Sequence, residues 1–150
     1  MRVVIQRVKH AKVNIAGTLK SQIKNGLLIL LGITTDDTKE DADWLIKKSL
    51  SLRVFDDDAG IMNKSVIETD GEIMVVSQFT LLASYKKGNR PSYIHAARPE
   101  IAIPLYEYFC EKMSDEMGKN VATGTFGADM QVELINDGPV TICMDTHNKE

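Results

Sequence analysis

The run Leu27-Leu28-Ile29-Leu30-Leu31-Gly32-Ile33 constrains this chain more than any other stretch. It holds no charge and no polar alternation, so neither of its faces suits water. It is far shorter than the roughly 20 residues a membrane-spanning helix requires. It predicts a central strand with an apolar layer on each side. A chain of 150 residues is long enough to bury one core around such a strand. A single domain over residues 1–150 is expected.

Other segments supply the layers. Met1 to Val8 alternates and is β-branched. Val13-Asn14-Ile15, Gly17-Thr18 and Leu19 to Ile23 read as a hairpin, and Asn25-Gly26 as a turn. Asp37 and Thr38 offer N-caps with Glu40 and Asp41 just inside. Ala42, Leu45, Ile46, Ser49 and Leu50 then follow helical spacing. Leu52 to Phe55 and Ser65 to Glu68 read as short strands, with the acidic turn Asp56-Asp57-Asp58 between them. Ile73 to Val76 is a further buried strand. A second helix is expected from about Glu100 to Met117, with Pro99 at its first position, Gly118 as its stop and Leu105, Tyr108, Phe109 and Lys112 facing inward. Pro104 leaves two options: a start near Pro104, or an irregular first turn. Met130 to Ile135 and Val140 to Met144 read as two closing strands. The expected class is α+β, with mainly antiparallel sheets curled into a barrel or sandwich and two main helices.

Within this frame Ser77-Gln78-Phe79-Thr80 stands out. Two hydroxyls and an amide interrupt an apolar segment. Burying such groups without partners costs roughly 1–3 kcal/mol each, so the strand either ends in a solvated loop or the groups serve a site. Asn136-Asp137-Gly138-Pro139-Val140-Thr141 raises the same question. Gly138-Pro139 is a hairpin turn, or a place where backbone comes close to a ligand or another chain.

Composition excludes little: 43% apolar and 26% charged residues are ordinary for a soluble domain. Arg2 leads straight into alternating residues, with no signal-peptide pattern. Cys110 and Cys143 lie among apolar residues and form no disulfide framework, so buried free thiols and a reducing, cytoplasmic location are expected. The net charge of −3 argues weakly against nucleic acid, but its distribution does not. Arg2, Arg7, Lys9, Lys12, Lys20 and Lys24 precede any acid, and Lys86, Lys87, Arg90 and Arg98 lie between Glu72 and Glu100 with no acid among them. Adjacent in the fold, these segments make a positive face. Charge alone does not separate that from a chance partition.

No histidine sits in a Ser-His-Asp or Cys-His setting, and no His-x-x-x-His or Cys-x-x-Cys spacing occurs, so no metal is expected. Gly124-Thr125-Phe126-Gly127 lacks the lysine of a phosphate loop.

Six segments occur in order along the chain: Ile5-Gln6-Arg7-Val8, Met62-Asn63, Ser77-Gln78-Phe79-Thr80-Leu81, Arg90-Pro91-Ser92-Tyr93, Gly127-Ala128-Asp129-Met130 and Asn136-Asp137-Gly138-Pro139-Val140-Thr141. Together they resemble the D-aminoacyl-tRNA deacylase (D-tyrosyl-tRNA deacylase) family over nearly the whole length. The resemblance implies a cytoplasmic, homodimeric hydrolase without a cofactor. It would cleave the ester between a D-amino acid and the terminal adenosine of tRNA, and would act on glycyl-tRNA as well. Ser77, Gln78, Phe79 and Thr80 would line the catalytic pocket. Gly138 and Pro139, joined by a cis peptide, would enter the partner's pocket and exclude L-amino acids. Phe126 and Met130 would lie near the adenosine. Thr125 and Tyr93 depart from the usual arginine and phenylalanine. A non-catalytic nucleic-acid-binding module and a general esterase are the competing readings.

Overall fold

The computed structural model describes residues 1–150. Its framework is one long first strand, β1 (Arg2–Ile15), which pairs along both edges. On one edge its first half lies antiparallel to β3 (Gly26–Gly32) and its second half to β2 (Thr18–Ile23). β3 pairs in parallel with β6 (Glu72–Ser77), and β6 in parallel with the short β7 (Ala122–Thr123). Ser21 Oγ, on β2, donates to the Thr123 carbonyl at 2.7 Å and draws the sheet nearly closed. β4 (Phe55–Asp56) and β5 (Met62–Lys64) form a separate ribbon. The expected curled α+β sheet is therefore present, with two parallel pairings at its centre.

β3 has the two-sided burial that its apolar run predicts. Leu27, Ile29 and Leu31 pack towards the helices, while Leu28 and Leu30 pack into the barrel interior. β6 does the same with Ile73 and Val75 outward and Met74 and Val76 inward. In β1, Val3 and Ile5 face the helices, whereas Val8, Ala11 and Val13 face the interior. Irregular register between Gln6 and His10 makes that exchange, since an extra residue turns the following side chains to the other face.

Helix α1 (Lys39–Ser51) starts at Thr38, whose backbone N–H donates to the Asp41 carboxylate at 2.9 Å. It buries Ala42, Leu45, Ile46, Ser49 and Leu50, as the spacing predicts. Helix α2 (Pro99–Met117) runs without a break through Pro104. Pro104 is its sixth residue, so the helix gives up the N–H that would have bonded the Glu100 carbonyl. Gly118 ends it at φ 69°. Its inward face is Ala102, Leu105, Tyr106, Phe109, Cys110 and Met113. Tyr108 and Lys112 are only half-buried, so the expected face is rotated by part of a turn.

Several expectations give way. Of the strand expected at Leu52 to Phe55 only Phe55 is extended and paired, in β4. Ser65 to Glu68 is a hydrogen-bonded turn, because Ser65 and Glu68 bond each other's backbone N–H groups. The two closing strands are a single element, β8 (Met130–Asp145), both halves of which run antiparallel to β1. Residues 137–140 bulge out where Arg7 stands opposite, so Gly138-Pro139 interrupts a strand and does not turn a hairpin. Cys110 is buried as expected, but Cys143 is exposed, on the outward parity of β8.

Candidate active site

The C-terminal end of β6 delivers Ser77, and a 3-10 turn (Phe79–Leu82) follows at once. The turn sits tight against the end of β3. A Cβ on Gly32 would lie 3.1 Å from the Gln78 carbonyl oxygen and 3.2 Å from Leu81 Cβ, so any side chain there would push the turn back by a few tenths of an ångström. The Gln78 N–H is spent on the Leu31 carbonyl, at 2.7 Å. The N–H groups of Phe79 and Thr80 open the turn and have no acceptor in the protein.

A cleft of about 290 Å³ lies beside this turn. Ser77, Gln78 and Phe79 form one wall, and Phe126 to Met130 with Val132 form another. Leu31, Ile33 and Val76 line it from the sheet, and Ala97 and Ala102 from α2 and the residues before it. Segments about fifty residues apart thus converge on one apolar concavity rimmed by a few polar groups, the usual character of a ligand site. Phe126 also contacts Tyr106, with ring centroids 6.0 Å apart, and the Tyr106 hydroxyl donates to the Val75 carbonyl at 2.8 Å. Phe79 packs edge-to-face on Tyr93 at 4.9 Å and remains half-exposed. Met130 fits over Gly124, where a Cβ would lie 2.4 Å from its sulfur.

Thr80 lies outside the cleft lining. Its Oγ1 accepts from the Gln78 side-chain amide at 2.5 Å. An amide N–H cannot take a proton, so nothing here activates that hydroxyl as a nucleophile. The one carboxylate lining the cleft is Asp129, which is exposed. A short loop residue carries no periodicity that would single it out in the sequence.

Gly138 and Pro139 do not line this cleft either. The peptide between them is cis, and both residues are exposed. Arg7 holds the bulge from beneath. Its side chain is 9% exposed; Nε donates to the Asp137 carbonyl at 2.8 Å and Nη1 to the Val54 carbonyl at 2.5 Å. The Asp56 and Asp137 carboxylates flank it at 3.5 and 3.6 Å. The Asn136 side chain closes the bulge, accepting from Val140 N–H at 2.8 Å and donating to Thr141 Oγ1 at 3.0 Å. Sequence reading did not give Arg7 this role; a lone arginine on an alternating strand carries no mark of its partner.

Asp37, Asp41 and His147 bring ligand atoms within 4.8 Å of one another. Asp37 is already engaged by the Met1 ammonium, by Thr34 N–H at 2.6 Å and by His147 at 2.9 Å. No helix is long and apolar enough to cross a membrane.

The profile of a family described as "D-Tyr-tRNA(Tyr) deacylase" matches residues 4–145. Proteins called D-aminoacyl-tRNA deacylase from Phocaeicola vulgatus and Bacteroides thetaiotaomicron are 67% and 65% identical over 150 residues, all of both chains. A solved structure described as "c-Myc DNA Unwinding Element Binding Protein" is 40% identical, with a TM-score of 0.90 over 97% of this chain and 99% of that one. Another, a "probable eukaryotic D-amino acid tRNA deacylase", is 17% identical at TM-score 0.83, over 95% and 97%; it shares the fold. Fold, cleft and matches define an enzyme of the hydrolase class. The chain belongs to the D-Tyr-tRNA(Tyr) deacylase family.

Proposed function

We propose that this chain hydrolyses the ester of D-aminoacyl-tRNA, releasing the D-amino acid and free tRNA, and that it acts in the cytoplasm as one domain of a homodimer. The observation that carries the reading is the convergence of Ser77 to Phe79 and Phe126 to Met130 on one cleft, in a chain that matches the family over residues 4–145. The terminal adenosine lies against Phe126 and Met130, and the ester carbonyl turns towards Phe79 and Thr80.

An aminoacyl ester is already activated, so little catalysis is required. Water attacks the carbonyl carbon, the negative charge moves to the carbonyl oxygen, and the bond to the ribose oxygen breaks as that oxygen takes a proton. The free N–H groups of Phe79 and Thr80 suit the developing oxyanion; each such donor contributes about 2.7–4 kcal/mol. The ribose 2′-hydroxyl of the substrate assists the water. Ser77 and Gln78 contribute to shaping the pocket.

Handedness is read by main chain. The exposed Gly138-Pro139 bulge of one protomer enters the cleft of the other, where its carbonyls crowd the side chain of an L-amino acid. A filter built from a clash tolerates many D-residues and lets glycine through. The location of the bulge outside its own chain's cleft supports donation in trans. Rates on matched D- and L-tyrosyl-tRNA test the activity: strong preference for the D-ester is expected, and equal or absent turnover refutes it. Light scattering at assay concentration tests the assembly, and a monomer there rules out the filter.

A further inference from the structure

We propose that a second cleft, bounded by Thr34, Ser84, Tyr85, Lys86 and His95, holds a nucleotide of the single-stranded RNA next to the esterified adenosine, with its base on the Tyr85 ring. This inference rests on the deacylase reading and assigns the next part of its substrate.

The cleft encloses about 430 Å³, within the range of small-ligand sites. It draws on the same two segments as the candidate active site. Ile33 lines that site and Thr34 this cleft; Phe79 lines that site and Leu82 this cleft. A strand leaving the first cleft past the 3-10 turn therefore arrives here.

Its chemistry suits a base more than a bare phosphate. Arg2 lines it, but its Nε and Nη2 bond the Asp145 carboxylate at 2.9 and 2.7 Å, and Nη1 bonds the Leu81 carbonyl at 2.7 Å. Burial works to raise the Asp145 pKa; the bonds from His147 N–H and Arg2 outweigh it and hold the carboxyl below its usual value. That charge is spent internally. What remains free is Lys86 and Asp36, which make no ion pair, and a polar and aromatic lining. Thr34 lines the cleft, and its Oγ1 is buried behind that surface without a hydrogen-bond partner. Tyr85 is 77% exposed, so its ring is open to a stacking partner.

Phosphate neutralisation comes from Lys86, which lines the cleft, and from cations close to it in sequence. Lys86, Lys87, Arg90 and Arg98 are exposed and none takes part in an ion pair, a state they share with Lys20, Lys24, Lys47 and others elsewhere. A free cation, Lys86, beside an exposed ring, Tyr85, is the pairing used in single-strand binding. The opposite direction is closed to RNA: the hollow behind Phe126 is lined by Glu107 and Glu111 and by no cation.

The test is binding of two probes without an aminoacyl group, adenosine and the CCA trinucleotide, by wild-type protein and by Tyr85→Ala, Tyr85→Phe and Lys86→Ala/Lys87→Ala. Tyr85 is exposed on a loop, and unchanged thermal unfolding verifies that the variants fold. Tyr85→Ala is expected to weaken CCA binding about tenfold, to leave adenosine binding unchanged, and to raise KM on D-tyrosyl-tRNA without lowering kcat. Tyr85→Phe keeps wild-type affinity, and the double lysine variant shows a shallower salt dependence. Equal affinity of wild type and Tyr85→Ala for CCA overturns the site. Loss of adenosine binding in the same proportion overturns it too. Tyr85-dependent CCA binding by a protein that hydrolyses no D-aminoacyl-tRNA upholds this site and refutes the deacylase reading.

Discussion

Replacing Arg7 by lysine should loosen the Gly138-Pro139 bulge by an amount the structure sets. The guanidinium satisfies two main-chain carbonyls at once, Asp137 at 2.8 Å and Val54 at 2.5 Å. A lysine ammonium keeps the charge but is a single point donor, so it cannot span both in the same geometry. One charge-assisted hydrogen bond is lost, worth about 1.5–3 kcal/mol. With a urea m-value of about 2 kcal/mol/M for a small domain, the unfolding midpoint falls by about 1 M. Trp44 is the only tryptophan and lies on α1, so its fluorescence follows the transition. The second readout is the ratio of rates on D- and L-tyrosyl-tRNA, at a fixed protein concentration far from the transition. A mobile bulge should admit L-esters, lowering the ratio at least tenfold. A midpoint shift below about 0.2 M would show that Arg7 does not hold the bulge. The full shift with an unchanged ratio would detach the bulge from chiral selection.

Gly138→Ala should lose tenfold or more in kcat/KM on D-tyrosyl-tRNA. A Cβ there lies 2.8 Å from Val140 Cγ2 and 3.1 Å from Arg7 Nη2, at a φ of +138° that costs a non-glycine residue about 1–3 kcal/mol; unimpaired kinetics would exclude a close approach at that residue. Thr80→Ala should keep kcat within about fivefold, because its hydroxyl bonds only the Gln78 amide, and a thousandfold loss in a folded variant would restore it as nucleophile. Asp129→Asn should likewise stay within a few-fold, whereas a loss of about 10²–10⁴ would make it the general base. Burial, above all, pushes the Cys110 thiol up to about 12, and burial beside Cys110 pushes the Tyr106 phenol up as well. The unfolded chain then releases these protons first, from about pH 9 for the thiol, so stability is whole below that pH and falls above it by up to about 1.4 kcal/mol per unit. Urea midpoints at pH 8 and 10.5 should differ, and Cys110→Ala should flatten the difference.

The elements that could be read from sequence are those whose cause is local. Ala42 to Leu50 and the apolar run at Leu27 follow from spacing and hydrophobicity, and Gly118 from its place after Met117. The reading failed where the deciding partner lies far along the chain. Residues 130–135 and 140–144 read as separate strands because nothing in them reveals that both pair with β1. Ser65 to Glu68 looks extended by composition, yet Glu68 reaches back to the Ser65 N–H and closes a turn. The inner face of α2 drifted because Tyr106 finds the Val75 carbonyl, an acceptor thirty-one residues away. Site residues followed the same rule. The two halves of the cleft were marked by polar groups amid apolar ones, while Arg7 and Asp129 carry no such mark.

The proposed division of labour has a physical logic that the geometry makes specific. A side-chain pocket recognises one amino acid by filling itself with that amino acid's shape; a proofreading hydrolase must instead accept many side chains and one hand. Main-chain groups meet that demand, since carbonyls and N–H groups are the same whatever side chain enters. Both proposed devices here are main chain: the N–H groups of Phe79 and Thr80 on one side, the exposed bulge at Gly138 on the other. Main chain discriminates only if it is stiff, and each device is pinned. Gly32 lets the first lie flush against β3, and the buried Arg7 guanidinium ties the second to Val54. Neither device reaches the other within one chain, because the bulge does not line the cleft. On this proposal hydrolysis and chiral selection reside on separate surfaces of the same molecule, and a second copy brings them face to face.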